Sequence, residues 1–435
     1  MIDESVLPFK LELTTEKLTP HAGLAVAHEF HLGLGLDGLL DEHLPRRGSN
    51  RGYRPSEVVL PLVLMLQGGG QDLDDIGVIA RDRALREAAE LARVPAATTL
   101  GDWCRRTGTS AAGMTGLARV ADRLTACRHE REGRTAYTLD VDATIIEAHK
   151  QDATRAYEGT VGYHPMLGFL DETRWLLHDE FRTGSASPQA GGVEFITACA
   201  NRMPKGTRIG EVRSDSAFYN HHVTDHCHAE GITYTIAADW DPAVVAASRA
   251  IPDDAWGPIP VEKGKPRREV AETIHTFNEG CHSFRLVFVR DIDEQGQLFE
   301  AAHRGRGIIT NASHEQRSAI EVVAHYNRRG TAENYIKELK HGFGMRRVPC
   351  GQEPANAAWL RIGTMAYNLF LLQQAFGLPP ELLHVTVGTV RWRLYQTAAR
   401  LVRHARRLVL KIATDAATFA ILSDLRLVSH SLAFP

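Results

Sequence analysis

At 435 residues the chain is long enough for two or three packed cores and too long for a peptide-sized binding module. Hydrophobic content of 43% and charged content of 24% exclude a disordered tail or a collagen-like repeat. The net charge of -3 argues against a small basic DNA-coating protein but leaves room for a DNA enzyme with local basic patches.

The N-terminal segment lacks a basic stretch followed by an apolar one, and no run of about 18 apolar residues occurs. Six cysteines stand singly with no CxxC pair, so a soluble, cytoplasmic protein with no membrane partner is expected. Residues 1–132 read as a helical N-terminal domain. Pro55-Ser56-Glu57 resembles a helix start, and the apolar run Val58–Leu66, which fits a buried helix or strand, ends in a Gly68-Gly69-Gly70 turn. Leu73, Ile76, Ile79, Leu85, Ala88 and Ala92 then recur at helical spacing.

From residue 133 the texture changes. Thr135–Ile146 is alternating and β-branched, and Val161–Leu170 and Arg174–Phe181 repeat the pattern, which predicts three adjacent strands. A helix to Asn201, a strand at Arg208–Arg213, a helix near Phe218–Ala229 and a strand at Ile232–Ala237 follow. That order makes 133–238 the first part of an α/β core around a mixed sheet. Residues 239–300 look like a β-rich insertion, Pro/Gly-rich at 252–266. The sheet resumes at Gly307–Asn311 within 301–350, and from Ser313 onward, through 351–435, the chain reads as helical.

Asp140 and Asp142 stand two apart on a predicted strand, so both share one face while Leu139, Val141 and Ala143 take the other. Acids on a central strand are costly unless a cation offsets them, and a divalent metal would. Asp215 follows another predicted strand, where ligands gather in α/β sheets. A third acid lies in His325–Lys340. At 100° per residue, Tyr326, Arg329, Glu333 and Lys340 fall within about 60° of one another on a continuous helix. An i,i+4 ion pair on a solvated face, with Gly330 breaking the helix, is the bland alternative.

Tyr, two residues, Arg, three residues, Glu, six residues, Lys resembles the YREK signature of bacterial insertion-sequence transposases of the DDE class. Leu139–Thr144 resembles that family's first-aspartate strand, Arg213-Ser214-Asp215-Ser216 its second-aspartate motif, and Ile308–Asn311 the strand before its glutamate helix. The resemblance implies an RNase H-like mixed-sheet core with a β-rich insertion, between helical N-terminal and C-terminal regions. It implies that Asp142, Asp215 and Glu333 hold two Mg²⁺ ions, with Mn²⁺ as a substitute, for phosphoryl transfer. In that family the metal ligand usually stands two before a Thr, so the role carries to Asp142, two before Thr144, with Asp140 the alternative. Tyr326, Arg329 and Lys340 are then expected at the DNA strand near the scissile bond. The implied partners are double-stranded DNA, as terminal inverted repeats and target, and a second copy of the chain when two ends are paired.

Residues 389–435 hold eight Lys and Arg against two Asp. Leu394, Ala398, Leu401, Ala405, Leu408 and Ile412 form a helical stripe, beside which Arg400, Arg403, Arg407 and Lys411 predict one cationic, DNA-binding face. The histidines at 221, 222, 226 and 228 around Cys227 lack the partner pair that zinc requires. Two other functions fit the same residues: a metal-dependent nuclease without strand transfer, and a DNA-binding descendant that no longer cleaves.

Overall fold

The computed structural model describes residues 11–46, 52–187, 189–260, 267–292 and 305–433. The parts of the expected insertion at 261–266 and 293–300, and the start of the following segment at 301–304, lie outside the described residues.

A nine-stranded sheet organises the molecule. Strand Ala136–Ala143 pairs antiparallel with Met166–Leu170, which pairs antiparallel with the edge strand Trp175–Glu180. On its other side it runs parallel to Arg208–Ser214, itself parallel to Thr233–Ala237. Three antiparallel strands followed by two parallel ones, with helices Gly192–Ala200 and His221–Ala229 in the connections, make the RNase H-like core that the resemblance implied. Parallel strands need crossover connections, and these helices supply them.

The insertion continues this sheet instead of forming a separate layer. After helix Pro242–Ala250, strands Gly257–Ile259, Arg267–Thr276 and Ser283–Ile292 add to its edge through Arg306–Thr310. Residues alternate across the strands there. Val287 and Val289 pack with Val322, Val323 and Tyr326 of helix Ala319–Asn327, whereas Leu286 and Phe288 belong to the main core. The sheet is therefore covered on both faces.

The two ends of the chain share one helical body. Helix Glu353–Gly377 is buried almost all round and packs on helices Pro55–Gly68, Ala97–Thr109 and Ala111–His129, and among its buried polar residues Arg361 is partnered by Asp179 at 2.7 Å and Asn368 by the Leu176 carbonyl at 2.8 Å. Gly108 permits the closest approach, because a Cβ there would lie 1.8 Å from the Pro354 carbonyl oxygen. The run Val58–Leu66 is helical despite Pro61, and Gly69 ends it with φ of 109°. Proline forfeits a helix hydrogen bond, and burial of nearly every neighbour holds the segment in place.

One expectation fails. Residues 394–412 do not form an amphipathic helix: Ala399–His404 and Arg407–Ile412 make a β-hairpin, and Leu18–Thr19 adds a third strand. The two-residue turn has positive φ at Ala405 (47°) and Arg406 (64°), the geometry that matches hairpin twist. Arg400, Arg407 and Lys411 share one hairpin face, while the register puts Arg403 on the other with Leu401 and Leu410.

Candidate active site

Register brings the first two acids together. Val141 pairs with Ser214 across parallel strands, so Asp142 and Asp215 leave the same end of the sheet side by side. Asp142 is the penultimate residue of its strand, and Asp215 begins a short turn in which its carboxylate accepts the Ala217 backbone N–H at 3.0 Å. The glutamate helix crosses beside them. Helices Ala319–Asn327 and Gly330–Lys337 are separated by Arg328 and Arg329, which keep helical φ and ψ, so Gly330 does not break the path. Bonds from Arg329, Thr331 and Ala332 N–H to carbonyls three residues back tighten this turn.

Arg329 joins the three acids. Its Nη2 lies 3.1 Å from Asp142 Oδ2 and 3.5 Å from Asp215 Oδ2, and its Nη1 lies 3.8 Å from Glu333 Oε1. The guanidinium is 13% exposed, whereas Glu333 is 67% exposed and opens the cluster to solvent. Burial raises the Asp142 carboxyl to about 6; Arg329 opposes the rise and the charges of Asp215 and Glu333 add to it.

Asp140 has a different environment although it shares the strand face. Fully buried, its two oxygens accept from Arg213 Nε and Nη2, each at 2.7 Å. Arg213 also reaches Asp171 at 2.9 Å and donates to the His325 carbonyl at 3.1 Å. One guanidinium thus ties the first-aspartate strand, the second-aspartate strand and the glutamate helix together. Sequence reasoning missed Arg213, although its two-residue spacing from Asp215 matches that of Asp140 from Asp142. Glu211 adds a parallel clamp, bound by Arg317 and, at 2.8 Å, by His325, and these partners hold its carboxyl down at about 2 against its burial.

Lys340 lies in a wider π-helical turn, Glu338–Gly342, and donates from Nζ to Ile145 O at 2.9 Å and Thr144 Oγ1 at 3.1 Å. It therefore holds the segment just past Asp142. Tyr326, expected on the DNA strand, is 9% exposed in the apolar cluster under the glutamate helix. Glu338, off the Glu333 face, accepts from the Val387 backbone N–H. The four hairpin cations are all exposed; Arg400 pairs with Glu16 at 2.7 Å and Arg403 with Glu87 at 3.2 Å.

Among the described residues, no three acidic, histidine or cysteine side chains stand close enough to hold a metal ion as they are. The donor set nevertheless suits a hard divalent cation, because it consists of carboxylates with no sulfur or imidazole. The site is also built around positive charge, since the guanidinium already touches all three acids. No described helix is long and apolar enough to cross a membrane.

A family model described as transposase DDE domain group 1 matches residues 6–430. The chain is also similar to the piggyBac transposase solved by cryo-EM as a synaptic complex with hairpin DNA. The identity is 9%, the TM-score 0.44, and the match covers 97% of this chain and 83% of that one. No curated protein matches the chain.

Proposed function

The chain belongs to the transposase DDE domain family, group 1, and on that premise we propose that it cuts an insertion element out of DNA and joins it to a target. The observation that carries this reading is the gathering of Asp142, Asp215 and Glu333 around one guanidinium at 3.1 to 3.8 Å. Acids from three separate chain segments meet at the end of the parallel strands, where a phosphodiester can enter from the Glu333 side.

In this reading the three carboxylates would hold two Mg²⁺ ions, which would stabilise the attacking and leaving oxygens of an in-line displacement at phosphorus. Asp142 and Asp215 are fixed by adjacent strands, and Glu333 closes over them from the helix. Arg329 takes a DNA phosphate beside the scissile bond. Lys340 fixes the Thr144–Ile145 segment and so acts on the position of Asp142. A 3′-OH freed by cleavage is then the nucleophile for joining, on paired terminal repeats held by two copies of the chain. Arg407 and Lys411 offer exposed charge for flanking phosphates.

A strand-transfer assay on paired element-end duplexes with Mg²⁺ or Mn²⁺, scoring cleavage and joining separately, tests the proposal. Both activities are expected. Cleavage without joining would favour the nuclease reading, and end binding without either would favour a non-catalytic descendant.

A further inference from the structure

Arg329 occupies the space toward which all three carboxylates point, and that position has a consequence for metal binding. Nη2 of the guanidinium sits between Asp142 Oδ2 and Asp215 Oδ2, at 3.1 and 3.5 Å. A divalent cation bound to those same oxygens would lie within a few ångströms of a fixed positive charge, where like charges repel strongly. The acids therefore cannot serve Arg329 and a metal fully at once. The side chain is not fully satisfied where it lies: its buried Nε has no hydrogen-bond partner among the described residues, and such a group costs free energy. An arginine can leave by changing rotamer while its helix stays in place, and the exposed Glu333 side of the cluster is where a phosphate would meet it.

We propose that Arg329 is a resident counter-ion that competes with divalent metal for Asp142 and Asp215 until a DNA phosphate draws its guanidinium away. The inference rests on the reading of these acids as metal-binding. Metal and DNA then bind cooperatively, and by linkage each raises the affinity for the other by the same factor. Without DNA the acids are neutralised internally and hold metal weakly. With DNA the guanidinium neutralises phosphate instead, and the carboxylates become available together.

Mn²⁺ titrations of the full chain, followed by electron paramagnetic resonance, test this without measuring activity. Without DNA, Arg329→Gln is expected to bind Mn²⁺ about tenfold or more tightly than the parent protein, at a site that Asp142→Asn removes in either background. A duplex carrying an element end should tighten Mn²⁺ binding in the parent and change it little in Arg329→Gln. Arg329→Lys keeps the charge and should stay within about threefold of the parent; circular dichroism checks that each variant is folded. Unchanged or weaker Mn²⁺ affinity in Arg329→Gln overturns the proposal, as does an equal gain in Arg329→Lys. The absence of any Asp142-dependent Mn²⁺ site, with or without DNA, overturns the metal reading itself, a result distinct from the first two.

Discussion

Asp140 and Asp142 differ by what each one meets across the sheet. Asp140 is paired with a fully buried arginine, so removing its charge leaves Arg213 with Asp171 alone. Breaking a buried pair by losing one partner typically costs about 3–5 kcal/mol. Asp140→Asn is therefore expected to lower the melting midpoint clearly, while Asp142→Asn, which relieves crowding among three acids, leaves it near the parent value. Thermal unfolding of the two variants checks this, and equal destabilisation would mean that the two environments are not as described. Periodicity did not choose between the two aspartates, because period two puts both on one face, and only the resemblance, through Thr144 two residues on, pointed to Asp142. The pairing of Asp140 with Arg213 depends on a parallel register set by residues 73 apart in sequence.

At the scale of elements, the hairpin Ala399–Ile412 shows where pattern reading loses its hold. Its apolar positions satisfy a helical stripe and a strand alternation alike, and short segments of that kind are decided by pairing with distant partners. Here the partner is Leu18–Thr19, at the other end of the chain. The core strands were legible because β-branched alternation was bounded by turns, and the glutamate helix because its four signature residues share one turn of phase. A DNA-binding role for the hairpin now separates its cations. Arg407→Ala with Lys411→Ala should flatten the slope of log K against log salt by up to about 0.9 per lost phosphate contact. Arg403→Ala, on the opposite face beside Glu87, should leave the slope unchanged. Equal effects from both faces would contradict the hairpin register or its role.

Across the whole molecule, buried imidazoles link stability to pH. Burial lowers His28 and His178 to about 4, and His31 well below its ordinary value. Each is neutral in the folded chain, so its contribution is complete above about pH 6.5 and is lost as pH falls toward 4, where the unfolded chain binds protons that the folded chain refuses. His178 packs against Phe195, with ring centroids 5.0 Å apart and the planes tilted by 30°. His178→Phe should thus gain stability relative to the parent by about 2–3 kcal/mol between pH 6.5 and 4, read from denaturant unfolding at both values. A constant difference would show that His178 is not held neutral by burial.

At the same scale, one sheet end and one helix are proposed to assemble a DNA-cutting centre from three distant acids. Single-turnover cleavage of an element-end duplex at saturating protein, measured for Asp142→Asn, Asp215→Asn and Glu333→Gln beside equilibrium binding of the same uncleaved duplex without divalent metal, tests it most directly. Each variant is expected to bind the duplex nearly as tightly as the parent and to cleave it at less than about a hundredth of the parent rate, since each loses transition-state stabilisation and no ground-state contact to DNA. Cleavage at the parent rate by any one of the three variants, bound and saturated, would contradict it.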